Sequence, residues 1–407
     1  MRNFLSLLCC AVTLVGTTAL SGCRQDNVPQ AAPCDTPGVT GQEIAAGLVY
    51  PDSGLGADIF TPLRAGVDAR FGAANAAGGV HGRQITYETR NDQAQAAVNR
   101  AVSQKLIEEG DVFGILQASV ASSGSADYLA ERGVPVVGLA VEKVWTRYRN
   151  MFTFGYSFTG DGAVDTFGRF VQEQGGTRAL IFYNALDATV SPQIAQQFTT
   201  SLAAAGIRSS SIGGDNDPSP DQIEALEQRM RAEGADTIVG AIGAEGLAEI
   251  VTALRRNGLP VKVVLSGSQA PSRELLAQYG SSIAGLTTFT SYRPLELNSP
   301  AIDAYRTNMA RFAPELQDAN QTLALVGYIV ADIFVRGLQE AGACPTRQSF
   351  IDGLRAVKSY DAGGLLNAID FGADFGKLEE CYSFTQVNAA GDRIEVVNPN
   401  FCGRRLG

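Results

Sequence analysis

Histidine is nearly absent from this chain: His81 is the only one among 407 residues. A Ser-His-Asp triad would have to recruit it, and no second imidazole exists to complete a mixed zinc site. The seven cysteines contain no CxxC spacing, which removes the common thiolate zinc patterns as well. A basic excess is also missing. Lys and Arg total 32 against 42 Asp and Glu, for a formal net charge of -10. That excludes a nucleic-acid surface, which demands basic patches, and charge-driven docking on anionic lipid. Asp215-Asn216-Asp217 opens like a calcium loop, but Pro220 holds the sixth position, where glycine is required, and Leu226 the twelfth. The reading is therefore of a protein without metal, cofactor or catalytic residues, and not an enzyme.

Long apolar runs are scarce too. Arg2 precedes one from Phe4 to Leu20, followed by Leu20-Ser21-Gly22-Cys23. A basic start, an apolar stretch short for a span and small residues before a cut describe a secretory signal peptide. The cysteine at the cut resembles the lipobox of bacterial lipoproteins. That resemblance implies a mature N-terminus at Cys23, lipidated and held outside the cytoplasm at a membrane surface. Residues 1–22 are then the signal peptide and 23–34 a polar tether without periodicity. No second run is read as long enough to cross a bilayer, so the body is expected to be a globular monomer of two domains. Cys34, Cys344, Cys381 and Cys402 remain in an oxidising compartment. Two disulfides are expected, with three connectivities open.

The body alternates strand and helix patterns. Glu43–Tyr50, Gln84–Arg90, Val112–Leu116 and Val134–Leu139 read as strands, with helices at Pro62–Ala77, Ala94–Glu109 and Ser122–Arg132 between or before them. After Met151–Ser157 a second series begins. Its strands are Ala179–Tyr183, Thr237–Gly240 and Lys262–Ser266. Its helices are Asp161–Gln174, Gln193–Ala205, Pro220–Glu233 and Leu247–Asn257. Repeated βα units imply parallel sheets covered by helices on both faces. Helices at Pro300–Phe312, Gln321–Ala341 and Thr346–Val357 follow, then a hairpin within Cys381–Val397 turning at Ala389–Asp392.

Several motifs in register resemble the solute receptors of the leucine-binding-protein family, which feed ABC transporters. They are Ser53-Gly54 with Gly66 after eleven residues, the run from Asn75 to Arg83 (close to N-A-A-G-G-V-N-G-R), and Asn91-Asp92 with Gln95-Ala96. Gly133-Val134-Pro135-Val136-Val137 and Gly327-Tyr328 leading to Ala331 complete the set. The likeness runs from about Glu43 to the end. It implies the type I periplasmic-binding fold: α/β, two doubly wound parallel-sheet lobes joined by three crossing segments, with the ligand cleft between them. The implied crossings are Phe154–Ser157, Phe289–Tyr292 and Gly363–Asn367. They divide the chain into lobe 1 at 35–155 and 290–364, and lobe 2 at 156–289 and 365–407. This topology favours the pairs Cys34–Cys344 and Cys381–Cys402. The implied partners are a small-molecule ligand and an ABC permease in the membrane. A ligand sensor of the same fold, regulating a membrane or operon partner, is the alternative role.

In the amino-acid receptors a Ser after the third strand and a Thr after the fourth hold the ligand carboxylate, and an acid on the second lobe holds the ammonium. This chain departs at all three. Ala118 aligns with the Ser, between Gln117 and Ser119. Glu142 follows Ala140 where the Thr belongs. Val261–Ser272 aligns with the acidic segment and carries only Ser266, Ser268 and Gln269. The resemblance further points to Ser53 and to Ile59, Phe60 and Trp145 as either cleft paving or core. Loop positions after strands add Asn184, Asp187 and Glu245. The ligand is expected not to be an ordinary branched-chain amino acid.

Overall fold

The computed structural model describes residues 34–53, 57–157, 159–160, 162–186, 190–268 and 270–406. Cys23, Asp187 and Gln269 lie outside these residues, as does the side chain of Ile59. In the first series, strands β1 (Glu43–Tyr50), β2 (Gln84–Asn91), β3 (Gly114–Gln117), β4 (Val136–Gly138) and β5 (Met151–Phe152) alternate with helices α1 (Ala57–Ala76), α2 (Ala96–Glu108) and α3 (Ser123–Glu131). The strands form one parallel sheet in the order β2-β1-β3-β4-β5.

The second series holds β6 (Ala163–Val164), α4 (Thr166–Glu173), β7 (Arg178–Asn184), α5 (Val190–Ala204), β8 (Arg208–Gly214), α6 (Pro220–Glu233), β9 (Thr237–Ala241), α7 (Ala244–Arg256), β10 (Val263–Ser266), α8 (Arg273–Tyr279) and β11 (Leu286–Thr290). Helices α9 (Pro300–Phe312), α10 (Thr322–Ala341) and α11 (Arg347–Ala356) return to the first sheet. The C-terminal strands β12 (Cys381–Val387), β13 (Ile394–Cys402) and β14 (Arg405–Leu406) return to the second series. The second sheet runs β13-β12-β11-β10-β9-β7-β8, parallel from β11 to β8 and antiparallel at the added hairpin.

The period-2 alternation of the strands sorts their side chains to two faces. Leu48, Leu116, Val137 and Phe152 share one buried cluster with α1, α10 and α11. Val49, Ile115, Val136 and Met151 join the other, with Ala126 and Leu129 of α3. Helix α10 is apolar enough over Thr322–Ala341 to match a membrane span by length and composition, which corrects the reading that no second such run exists. Most of it is buried inside the first lobe, so it serves as a core helix, with Asp332, Arg336, Gln339 and Glu340 marking its one polar stripe. It crosses α1 at two glycines. A Cβ on Gly66 would stand 1.9 Å from the Ala324 carbonyl oxygen, and one on Gly327 would stand 2.0 Å from that of Leu63.

Helix boundaries are sharpest where capping is local. Ser219 and Ser299 each accept a backbone N–H as N-caps ahead of a proline at the first helical position. Pro62 misleads by the same rule: α1 starts at Ala57 and carries Pro62 inside. Cys34 bonds to Cys344 and Cys381 to Cys402. The second pair sits directly opposite in the β12–β13 register. Gly363–Asn367, the implied third crossing, lies beside the second, since Tyr292 bridges Leu366. Leu365, Leu366 and Phe371 pack in the first lobe's core, and Leu378 is the first to pack in the second's. Contacts with the first lobe therefore continue past Asn367, through the Tyr360–Ile369 bridge and Phe371 to Phe375.

Candidate functional site

Two of the crossings leave directly from strand C-termini, the first after Phe152 of β5 and the second after Thr290 of β11. β5 runs parallel to β4 and β11 parallel to β10, so the two sheets point their C-terminal edges at the junction. Open α/β sheets bind ligands at that edge, where helix N-termini also present free N–H groups.

On the first edge, the turn after β3 is held by its own serines. Ser119 Oγ accepts from the Ala121 N–H at 3.0 Å, and Ser122 Oγ donates to the Ser119 carbonyl at 3.0 Å. Ser122, the N-cap of α3, makes no side-chain cap bond. The cap comes instead from the next loop. The Glu142 carboxylate accepts from the Ser123 N–H at 3.0 Å and from Ser123 Oγ at 2.7 Å. Gln117, Ala118 and Ser119 are fully buried, and Ala140 is nearly so. Gln117 lies with Nε2 3.4 Å from Ser125 Oγ, and its Oε1 has no partner. These residues form the floor beneath the turn rather than its surface. Trp145 is fully enclosed in the core under α3, and Phe60 is buried against α10's cluster, so neither paves the cleft. Their aromatic faces fill the interior because that is where the sheet has apolar surface to cover. Ser53 is exposed beside Asn91, whose Nδ2 donates to it. Val120 stands half exposed in the turn between β3 and α3.

On the second edge, Ser191 Oγ accepts from the Asn184 N–H at 2.8 Å and donates to the Ala241 carbonyl, tying the ends of β7 and β9 to the start of α5. Asn184 Oδ1 accepts from the Leu186 N–H at 3.0 Å. Leu186 itself is 80% exposed. Ser266 Oγ accepts from the Ser268 N–H at 3.1 Å, and Glu245 is exposed in the first turn of α7.

Between the edges run the crossing segments, around a cavity of about 180 Å³. Sequence reasoning missed its two charged anchors. Arg355 of α11 donates to the carbonyls of Arg149 and Phe371 at 2.9 and 2.7 Å and to that of Met151, and lies 4.0 Å from the Phe152 ring centre. Burial lowers its pKa to about 10. It ties β5 and the residue stretch before it to the segment at Phe371. Glu379 joins the first crossing to the third. It accepts from the Tyr156 N–H, from Ser157 Oγ at 2.8 Å and from the Tyr382 hydroxyl at 3.3 Å. Burial raises its carboxyl above the ordinary range, against the downward pull of the bonds from Ser157 and Tyr156.

A carboxyl whose folded pKa is raised contributes stability fully present below its unfolded value, near 4.3, and lost as pH rises through the folded one. The variant Glu379→Gln removes that dependence. Its melting temperature is expected to gain on the wild type as pH rises from 4 to 7, and the gain to vanish below about pH 4. Parallel melts across that range measure it; a difference independent of pH refutes the assignment.

His81 lies far from this junction, in the turn before β2 at the opposite edge of the first sheet, with Nε2 3.2 Å from the Gln339 carbonyl. Among the described residues no group of three or more His, Cys, Asp or Glu is placed to hold a metal ion.

The family profile described as periplasmic binding protein matches residues 43–392. No curated protein matches the chain by sequence. Solved structures do match in fold. A leucine-binding protein from Thermotoga maritima aligns at 16% identity and TM-score 0.67, over 88% of this chain and 99% of that one. A fatty acid ABC transporter substrate-binding protein from Thermomonospora curvata aligns at 18% and 0.70, over 93% and 95%. A solute-binding protein of an ABC transporter from R. palustris, in complex with 4-hydroxybenzoate, aligns at 17% and 0.70, over 89% and 97%.

Proposed function

Because the chain belongs to the periplasmic binding protein family, we propose that it is the extracytoplasmic solute-binding subunit of an ABC importer. In this reading it is held at the membrane by a lipid on Cys23. It captures a small solute by closing lobe 1 against lobe 2, and presents the closed form to a permease. The observation that carries the reading is the pair of C-terminal strand edges facing one junction spanned by three crossing segments. Rotation about such segments opens and shuts a cleft while each core stays packed. The similar structures are titled for leucine, fatty acid and 4-hydroxybenzoate, so this scaffold alone does not name a ligand. The test is mass spectrometry of small molecules released by denaturing protein purified without added solute. One compound near one-to-one stoichiometry is expected. No released compound, together with no thermal shift from any solute in a broad library, rejects the reading.

Leucine, isoleucine and valine are expected to bind no tighter than about 1 mM. A micromolar site amounts to about -8 kcal/mol. Each missing charge-assisted hydrogen bond costs roughly 1.5–3 kcal/mol. Ala118 offers no hydroxyl, and the described part of Val261–Ser272 carries no acid to meet an ammonium. Calorimetric titration with leucine checks this directly, and a micromolar Kd defeats it.

A further inference from the structure

We propose that Glu142 sets the specificity of the cleft by filling, with its own carboxylate, the anion position at the start of α3, so that the solute is uncharged or cationic at that end and carries an apolar body. This rests on the reading of the junction as a solute cleft.

Three observations support it. First, the N-terminus of α3 lies on the C-terminal edge of the first sheet, directly after β3. Its N–H groups and partial positive charge attract a carboxylate there. Second, the natural local cap is unused. Ser122 leaves its hydroxyl on the Ser119 carbonyl, while Glu142, 19 residues away, takes both the Ser123 N–H and the Ser123 hydroxyl. The carboxylate is held through both its oxygens, so it is placed by this chain as a fixture of the site. Third, only three large apolar side chains are exposed among the described residues. Two of them, Val120 and Leu186, follow β3 and β7 on the two edges that face the junction. A solute meeting these edges finds apolar contacts on either side and a negative charge at α3. A second carboxylate about 4 Å from Glu142 would be repelled by its like charge.

Chemical rescue tests the assignment. In Glu142→Ala the start of α3 is uncovered. Sodium acetate at tens of millimolar should raise the melting temperature of this variant saturably, beyond a sodium chloride control, and leave wild type unmoved. Glu142→Gln keeps an oxygen for Ser123 and loses only the charge, so it covers the case in which the alanine variant does not fold. In Glu142→Gln, at least one of leucine, octanoate and 4-hydroxybenzoate should bind at least about tenfold tighter than to wild type. Micromolar binding of any of these to wild type overturns the proposal. So does an alanine variant that responds to acetate no more than wild type does, or, where that variant fails to fold, a glutamine variant with unchanged carboxylate affinities. The outcomes separate from the cleft reading. Acetate rescue with no solute bound by either protein keeps Glu142's role and rejects the cleft. A neutral solute recovered from wild type without acetate rescue does the reverse.

Discussion

Gly66→Leu is expected to lower the melting temperature by at least about 6 °C or to abolish soluble expression. The reason is backbone contact. At Gly66 the first carbon of any side chain meets the Ala324 carbonyl oxygen at 1.9 Å, and no rotamer relieves a Cβ clash. The helices must separate, although α1 and α10 pack together in the first lobe's core. Inserting volume into packed cores costs typically 1–3 kcal/mol where side chains can shift, and the backbone here cannot. Even Gly66→Ala should destabilise, by less. Ala76→Leu at the exposed end of α1 serves as the control and is expected to change little. Circular dichroism melts of the three variants decide it; a Gly66→Leu protein that melts within a degree or two of wild type refutes the account. The crossing also bears on function, since α10 carries the first lobe's core through which any closing motion must act as a rigid body.

The two glycines of this crossing were legible in the sequence only as motif letters, Gly66 after Ser53-Gly54 and Gly327 before Tyr328; the structure supplies the contact that demands them. What the sequence made readable was local. Buried strands such as Glu43–Tyr50 announced themselves as apolar runs, and Pro220–Glu233 and Pro300–Phe312 matched to the residue because their caps lie within three positions. β8 went unread because Arg208–Gly214 is a polar edge strand with one neighbour. β11 goes unread as a strand, and the implied crossing Phe289–Tyr292 overlaps only its last two residues. The site was less legible for the same reason. Glu142 stood out by composition, but its partner Ser123 is 19 residues away. Glu379 and Arg355 meet partners more than 200 residues away, and nothing in their own neighbourhoods marks them as hinge anchors. Trp145 was visible as a rare residue, yet rarity does not say which way a ring faces.

Cys23→Ala is expected to move the protein wholly from the washed membrane fraction to the soluble one. Loss of the leader removes Arg2, the leader's single charge, which takes the formal net charge of -10 one unit further negative. Anionic headgroups then repel the body rather than bind it. The longest apolar helix in the described structure, α10, is committed to the core and offers no face to lipid. In the proposed reading retention therefore comes from acyl chains on Cys23. Each buried methylene contributes roughly 0.8 kcal/mol, and one chain of myristoyl length gives an association constant of only about 10⁴ M⁻¹. Two chains multiply such factors into firm anchoring, so removing their attachment atom leaves nothing intermediate. Fractionation after a high-salt wash, with detection of the body in each fraction, measures the shift. Mass spectrometry of the wild-type N-terminal peptide should find the acyl mass on Cys23. A Cys23→Ala protein that stays with the washed membranes would show that some other segment anchors it. The solute-binding reading would survive that result, because the residues on which it rests lie within 34–406.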